Sequence, residues 1–317
     1  MPDLPLAVIT AGGALVLALL FTPLMMILSP RIGAVASPRE RDVHSKPTPT
    51  AGGVAIFVAV WLPIALITRG NMGPLAGIFV GSVVLLAICL VDDIVGLPAL
   101  PRLVGQIVVA VVAYVWGVRI SGVTDPLSLF GTYRYLTLGW LSGPLTVLWI
   151  VLVVNAMNWL DGLDGLAAGV SAIAAATLVI IAWPSNFLFV AMPALAVTWA
   201  CLGFLPYNFN PARIFMGDTG AMFLGYMLAT LAISGAFKAP TAVAVFFPLL
   251  VLGVPIYDSI STICKRLSQG KSIYEADQQH LHHRLLDRGL STRQAVLVIY
   301  AATALLCILA ILLWMKW

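Results

Sequence analysis

The residues best suited to chemistry form one dense run: Asn155-Ala-Met-Asn158-Trp-Leu-Asp161-Gly162-Leu-Asp164-Gly165-Leu166. Polar groups recur there at every third residue. A step of three turns an ideal helix by about 300°. Asn155 and Asn158 would then be neighbours, while Asn155 and Asp164 would point to opposite sides. Gly162 and Gly165 let the backbone bend, so that several of these groups converge on one point. A second acidic feature, Asp92-Asp93, emerges where an apolar run ends. Two adjacent acids repel each other, and the pair becomes sensible if it faces Mg²⁺ or accepts a proton. Solvated interfacial acids are the plainer reading. A third, Phe215-Met-Gly217-Asp218-Thr-Gly220, sets a carboxylate between glycines just before another apolar run. At a helix N-terminus the free N–H groups favour an anion. Asp218 could hold Mg²⁺ there while the N–H groups hold phosphate. Phe215 either stacks on a base or packs in the interface.

Two further segments are rich in donors. Arg41-Asp-Val-His44-Ser-Lys46-Pro-Thr-Pro-Thr-Ala-Gly-Gly53 offers His44 and Lys46 to a phosphate, or serves as a basic loop on a membrane surface. His280-Leu-His282-His283-Arg284 has three histidines within four residues. Zn²⁺ is one reading, yet no cysteine or carboxylate is spaced to complete a tetrahedral site. Several donors with positive charge suit a sugar diphosphate better. Asp258, near the end of an apolar run, has Arg266 two helical turns away, too far for a close in-helix pair. It calls for a polar role facing the bundle interior.

The elements that carry these groups are membrane spans. Of the 317 residues, 61% are hydrophobic and only 9% are charged, where a soluble domain carries roughly 25%. Apolar runs of about 20 residues, each long enough to cross a hydrocarbon core, recur from end to end. Ten spans are expected, at 5–28, 51–68, 74–91, 103–118, 142–158, 165–183, 186–205, 220–236, 241–264 and 294–315. Each must be helical, because backbone groups in lipid need internal partners. The expected fold is an all-α integral membrane protein forming a single polytopic domain over 1–317. A small β-hairpin is expected on its outer surface near 119–141. The first run lacks a basic flank and a cleavage site, and reads as a retained span. The four cysteines lie scattered in apolar runs, with no disulfide or zinc spacing.

Twelve of the 17 basic residues fall in one set of alternating loops. The positive-inside rule puts that set in the cytoplasm and both termini outside. Eleven of the 13 acidic residues and all four histidines lie on the same side. Polar chemistry concentrated at one face favours an enzyme over a transporter, which needs polar groups at the midplane and on both sides. No inverted repeat supports transport either.

In order, spacing and number of spans, these motifs closely resemble those of the polyprenyl-phosphate N-acetylhexosamine-1-phosphate transferases. The motifs are Asp92-Asp93, Asn155-x-x-Asn158-x-x-Asp161-Gly162-x-Asp164-Gly165, Phe215-Met-Gly217-Asp218 and His280-x-His282-His283-Arg284. The histidine cluster is similar to the branch that uses UDP-N-acetylglucosamine and undecaprenyl phosphate rather than the branch that uses UDP-N-acetylmuramoyl-pentapeptide. Thr50 and Ala221 depart from the common pattern. The resemblance implies an Mg²⁺-dependent transfer at the inner face of a bacterial cytoplasmic membrane, with Mn²⁺ as substitute metal, feeding envelope glycan synthesis. It implies a UDP-amino sugar and a polyprenyl phosphate as partners, no nucleic acid, and room for a homodimer. By the same resemblance, Asp218 and Asp93 would ligate the metal. Asp92 and Asp93 would aid the metal or accept a proton, with a covalent role for Asp92 as the alternative. Asn155, Asn158, Asp161 and Asp164 would shape the nucleotide and metal site. Phe215 would stack near uracil. His44, Lys46, His280, His282, His283 and Arg284 would hold phosphate and sugar.

Overall fold

Helix α8 (Gly217–Ala236) is the element around which the others are arranged. Every residue from Thr219 to Ser234 is buried. A helix apolar on all sides belongs inside a bundle, and α8 packs against α2 (Gly52–Ile67), α3 (Ala76–Val95), α5 (Ser142–Leu160), α6 (Leu166–Ala182), α7 (Leu188–Asn208) and α9 (Val243–Val251). The computed structural model describes residues 4–36, 47–124, 135–236, 243–270 and 280–316. His44, Lys46 and the tip of the expected outer hairpin lie outside them.

Outside this centre run α1 (Leu4–Leu28), α4 (Ala99–Val115) and α12 (Thr292–Met315), which expose rows of Leu, Ile and Val on one side. Apolar side chains facing outward are the signature of a lipid solvent. Among the described residues, five helical segments are long and apolar enough to cross a membrane, and three shorter apolar helices accompany them. The protein is an all-α integral membrane protein. Strands β3 (Gly122–Thr124) and β4 (Tyr135–Thr137) pair antiparallel, with Val123 opposite Leu136, and form the hairpin expected between spans four and five. A second ladder, β1 (Val35–Ala36) with β2 (Thr48–Pro49), was not foreseen.

The expected ninth span is two helices. α9 ends at Val251, and α10 (Gly253–Ser268) begins after Leu252, whose φ of −104° and ψ of 19° interrupt the helix. Pro255 falls in the first turn of α10, where a missing N–H costs nothing. α10 buries Asp258, Thr262 and Arg266, so the continuous apolar span read from 241 to 264 does not exist. A short helix, α11 (Leu281–Asp287), follows at the same end of the bundle.

Glycines set how closely the central helices meet, as small residues do in membrane bundles. A Cβ on Gly53 would run into the backbone of Gly220, so α2 and α8 touch main chain to main chain. A Cβ on Gly225 would lie 2.9 Å from Val154 Cα. By contrast, nothing lies within 4 Å of a Cβ on Gly12. Gly53→Val is therefore expected to cost about 3 kcal/mol or more, by forced separation of packed helices. Thermal melting in detergent should fall sharply for that variant and stay unchanged for Gly12→Ala.

Candidate active site

The acidic groups meet at one end of the bundle, delivered by the last turn of α3, the start of α4, the α5–α6 loop and the first turn of α8. Helix α3 runs on to Val95, so Asp92 and Asp93 lie in its final turn rather than in a loop. Being adjacent, they face different partners. Asp92, 8% exposed, accepts from Leu97 N at 2.6 Å and from Arg102 at 3.0 Å. The same Arg102 nitrogen donates to Asp218 at 2.7 Å. One guanidinium thus bridges Asp92 and Asp218 from helices far apart in the chain.

Asp93 instead caps α8. Its carboxylate accepts from Asp218 N at 2.9 Å, Thr219 N at 3.1 Å and the Thr219 hydroxyl. The first amides of a helix have no internal partner, and a carboxylate there also meets the positive end of the helix dipole. The free N–H groups expected to hold phosphate at α8 are occupied by Asp93 instead. Gly217 makes this possible: its φ is +69°, and a Cβ would collide with Thr50 O and crowd the Asp93 carboxylate.

Asn155, on the α5 face toward α4, exchanges hydrogen bonds with buried Gln106: Asn155 Nδ2 donates at 2.6 Å and Gln106 Nε2 returns at 3.3 Å. It ties two helices together. Asn158, half-buried one turn on, has no side-chain hydrogen bond among the described residues. The helix ends at Leu160, and the chain turns through 161–165. Asp164 accepts from Asn210 Nδ2 at 2.9 Å and Ala212 N at 3.0 Å, holding the α7–α8 loop against the α5–α6 loop. Asn208 closes the same junction, accepting from Gly165 N at 3.1 Å and donating to Ile214 O at 3.0 Å. Phe215 is half-buried, and its backbone pairs with Pro49 and Gly52.

The Asp161 side chain makes no hydrogen bond among the described residues, while its backbone N–H donates to Asn158 O at 3.3 Å. Burial pushes its pKa up to about 8, aided by the negative charges of Asp218, Asp93 and Asp164. A carboxyl that holds its proton beside other carboxylates is a group in need of a cation. Among the described residues, no three His, Cys, Asp or Glu side chains form a ready metal cluster. Mg²⁺ takes one or two carboxylates and leaves its other positions to water and phosphate. Asp92 and Asp218, already gathered around one positive nitrogen, fit such an ion. Asp93, the other expected ligand, already accepts from three donors.

The histidines approach from the other side of the α5–α6 loop. His282 is 2% exposed and lies over Gly162, where a Cβ would strike its ring. Burial, with the neighbouring His283 and His280, pushes its pKa down to about 3, so it is neutral near pH 7. The His280 and His282 rings are parallel to within 3° at 5.8 Å, and His283 lies 4.3 Å from His282. Arg284 is half-buried on the same helix. Residues not foreseen as part of the site are Arg102, Gln106 and Asn208; Asp258 takes the polar, bundle-facing role expected of it. Arg102 carried the clearest signal, a lone cation at the start of an apolar helix ten residues after Asp92.

A many-helix membrane protein that collects acids, amides and histidines at one end of its bundle is built to handle charged substrates at a lipid surface. A family model described as glycosyl transferase family 4 matches residues 75–236. The chain is 39% identical over 300 residues to a Bacillus subtilis (strain 168) protein named probable undecaprenyl-phosphate N-acetylglucosaminyl 1-phosphate transferase, across 95% of this chain and 83% of that one. It is 38% identical over 328 residues to the decaprenyl-phosphate N-acetylglucosaminephosphotransferase of Mycobacterium tuberculosis (strain ATCC 25618 / H37Rv), across 95% and 80%. It is also 32% identical over 321 residues to a phospho-N-acetylmuramoyl-pentapeptide-transferase of Halalkalibacterium halodurans, across 94% of each. The chain belongs to glycosyl transferase family 4.

Two measurements follow from this geometry. Asp93→Ala uncaps a buried helix and should cost ~1–2 kcal/mol, lowering the melting temperature with or without Mg²⁺. Asp218→Ala, which relieves carboxylate crowding, should not lower it in Mg²⁺-free buffer. Asp161 sets a pH dependence. Its folded pKa is above its unfolded value, so between about pH 4 and pH 8 the folded chain keeps a proton that the unfolded chain has lost. Stability in EDTA should therefore fall as pH rises through that window. Asp161→Asn should flatten the fall, as read by melting temperature against pH.

Proposed function

We propose that the chain transfers N-acetylglucosamine-1-phosphate from UDP-N-acetylglucosamine to a polyprenyl phosphate at the cytoplasmic face of a bacterial membrane, releasing UMP. The carrying observation is the meeting of Asp92, Asp218 and Arg102 beside Asp161 and the histidine helix, at one end of a membrane bundle. Two family relatives whose printed names specify N-acetylglucosamine phosphate transfer support the substrate. The excess of basic residues in the same set of loops supports the cytoplasmic side.

In the proposed reaction an oxygen of the lipid phosphate attacks the β-phosphorus of the UDP-sugar. The bond from that phosphorus to the bridging oxygen breaks, and UMP leaves with the electron pair. The sugar and its phosphate stay on the lipid as a diphosphate. Asp92 accepts the proton if the lipid phosphate arrives protonated. Asp218 and Asp92 would hold Mg²⁺, or Mn²⁺ in its place, which when bound supplies charge stabilisation to the phosphates. Arg102 then passes from carboxylate partner to phosphate partner. Asp161 and Asn158, both without side-chain partners among the described residues, are left for the nucleotide and metal. His280, His283 and Arg284 face the diphosphate and sugar. Phosphoryl transfer needs little covalent help, so positioning and charge compensation carry the rate. His44 and Lys46 keep their assignment to phosphate.

The test is UMP release by purified protein with undecaprenyl phosphate, Mg²⁺ and either UDP-N-acetylglucosamine or UDP-N-acetylmuramoyl-pentapeptide. Release with the first alone is expected. Release with the second alone would keep the chemistry and overturn the substrate. Asp218→Ala is expected to lose more than about 1,000-fold in turnover, the scale on which electrostatic stabilisers act. Normal turnover in that variant would sink its metal role.

A further inference from the structure

Helix α10 carries a polar stripe that the proposed reaction leaves without a task. Asp258, Thr262 and Arg266 recur at four-residue intervals, hence on one face. They are 2%, 0% and 4% exposed. A carboxylate buried this deeply must be satisfied by protein donors, and Asp258 finds two. His280 Nδ1 lies 2.9 Å from Oδ2, and Leu281 N donates to Oδ1 at 2.6 Å. Both partners belong to the start of α11, so a single side chain orients the ring and caps the helix that follows it. Thr262 Oγ1 stands 3.5 Å from the same ring nitrogen. His280 in turn stacks parallel to His282, which lies on Gly162 beside Asp161, and its ring is 6.0 Å from Trp159. The guanidinium of Arg266 lies 6.0 Å from the other neighbour of this group, the Trp159 ring.

We propose that Asp258 is a positioning residue for substrate recognition: it holds the proton of His280 on Nδ1 and so reserves the bare Nε2, an acceptor, for a hydroxyl or amide N–H of the sugar carried by the nucleotide. This rests on the reading that α11 receives that substrate. A carboxylate can only accept, so the nitrogen facing it must carry hydrogen. The ring then has one nitrogen left for a ligand, and its lone pair accepts from a donor such as a sugar hydroxyl. The same logic applies wherever a buried acid sets a histidine tautomer for work at its far nitrogen.

The informative variant is Asp258→Asn, because it preserves shape and reverses chemistry. The amide oxygen can keep the bond from Leu281 N, while the amide nitrogen must then donate to His280 Nδ1. That drives the ring hydrogen to Nε2. With only four histidines in the chain, ¹⁵N spectra of protein labelled at histidine can read the tautomer directly. The wild type should show a signal with hydrogen on Nδ1 that is assigned by its loss in His280→Gln. In Asp258→Asn that signal should move to the Nε2–H position, with an unchanged melting temperature. In the UMP-release assay, kcat/KM for the sugar nucleotide should fall by about 10- to 100-fold, the usual effect of losing such a partner. KM for the lipid phosphate should not change. Asp258→Glu, which still only accepts, should recover part of the loss.

An unchanged tautomer or wild-type kinetics in Asp258→Asn would overturn the proposal. So would an equal loss in Asp258→Glu accompanied by unfolding, since that marks a purely structural acid. If the wild type releases no UMP from any UDP-amino sugar, the functional reading fails first. The tautomer shift would then still decide whether Asp258 governs His280.

Discussion

The carboxylate of Asp93 on the first turn of α8 is the contact on which the site depends. α8 is buried from Thr219 to Ser234, and its opening amides point into a protein interior where water cannot serve them. An acid at the end of α3 is badly placed for its own helix, whose C-terminal dipole end is negative, and well placed for its neighbour's N-terminus. This cross-helix cap fixes the depth of α8 relative to α3. It thereby sets Asp218 opposite Asp92, with Arg102 between them. Gly217 is the backbone condition for this, since a side chain there would collide with Thr50 O and Asp93.

Chemistry and scaffold are thus divided between adjacent residues in each motif. Asp92 faces Arg102 while Asp93 caps a helix. The Asp161 carboxyl has no hydrogen-bond partner among the described residues, while Asp164 braces the α7–α8 loop. Asn155 joins two helices, and Asn158 has no such bond. His280 is tied to Asp258, and His282 lies on Gly162. The alternation has a local cause: neighbours in a helix end or tight turn project in different directions, so one can face the cavity only if the other faces the frame. Loss of activity on substituting either member would look alike in a turnover assay. Melting temperature separates them.

Much of this was legible in the sequence, and the exceptions share one cause. Apolar runs located nine of the expected helices within a few residues, and Tyr133 to Gly139 announced the outer hairpin. The motif segments were correctly marked as polar, and glycines at 162 and 165 as bends. What periodicity could not reveal was pairing across long stretches of chain. Asp93 with Thr219, Arg102 with Asp218, and Asp258 with His280 leave no local pattern. The break at Leu252 was hidden for a different reason: Pro248, Gly253 and Pro255 were visible, but the surrounding apolar residues read as one span. The polar stripe at 258, 262 and 266 was the better signal. Its four-residue interval marks a helix facing protein rather than lipid.

Arg102 gives the resting centre a counter-ion of its own. Carboxylate clusters that rely on a metal for cohesion tend to spring apart when it is withdrawn, and the surrounding loops loosen with them. Here a tethered guanidinium keeps Asp92 and Asp218 together between turnovers. The acids of this centre are thus held at short range by a charge the protein itself supplies.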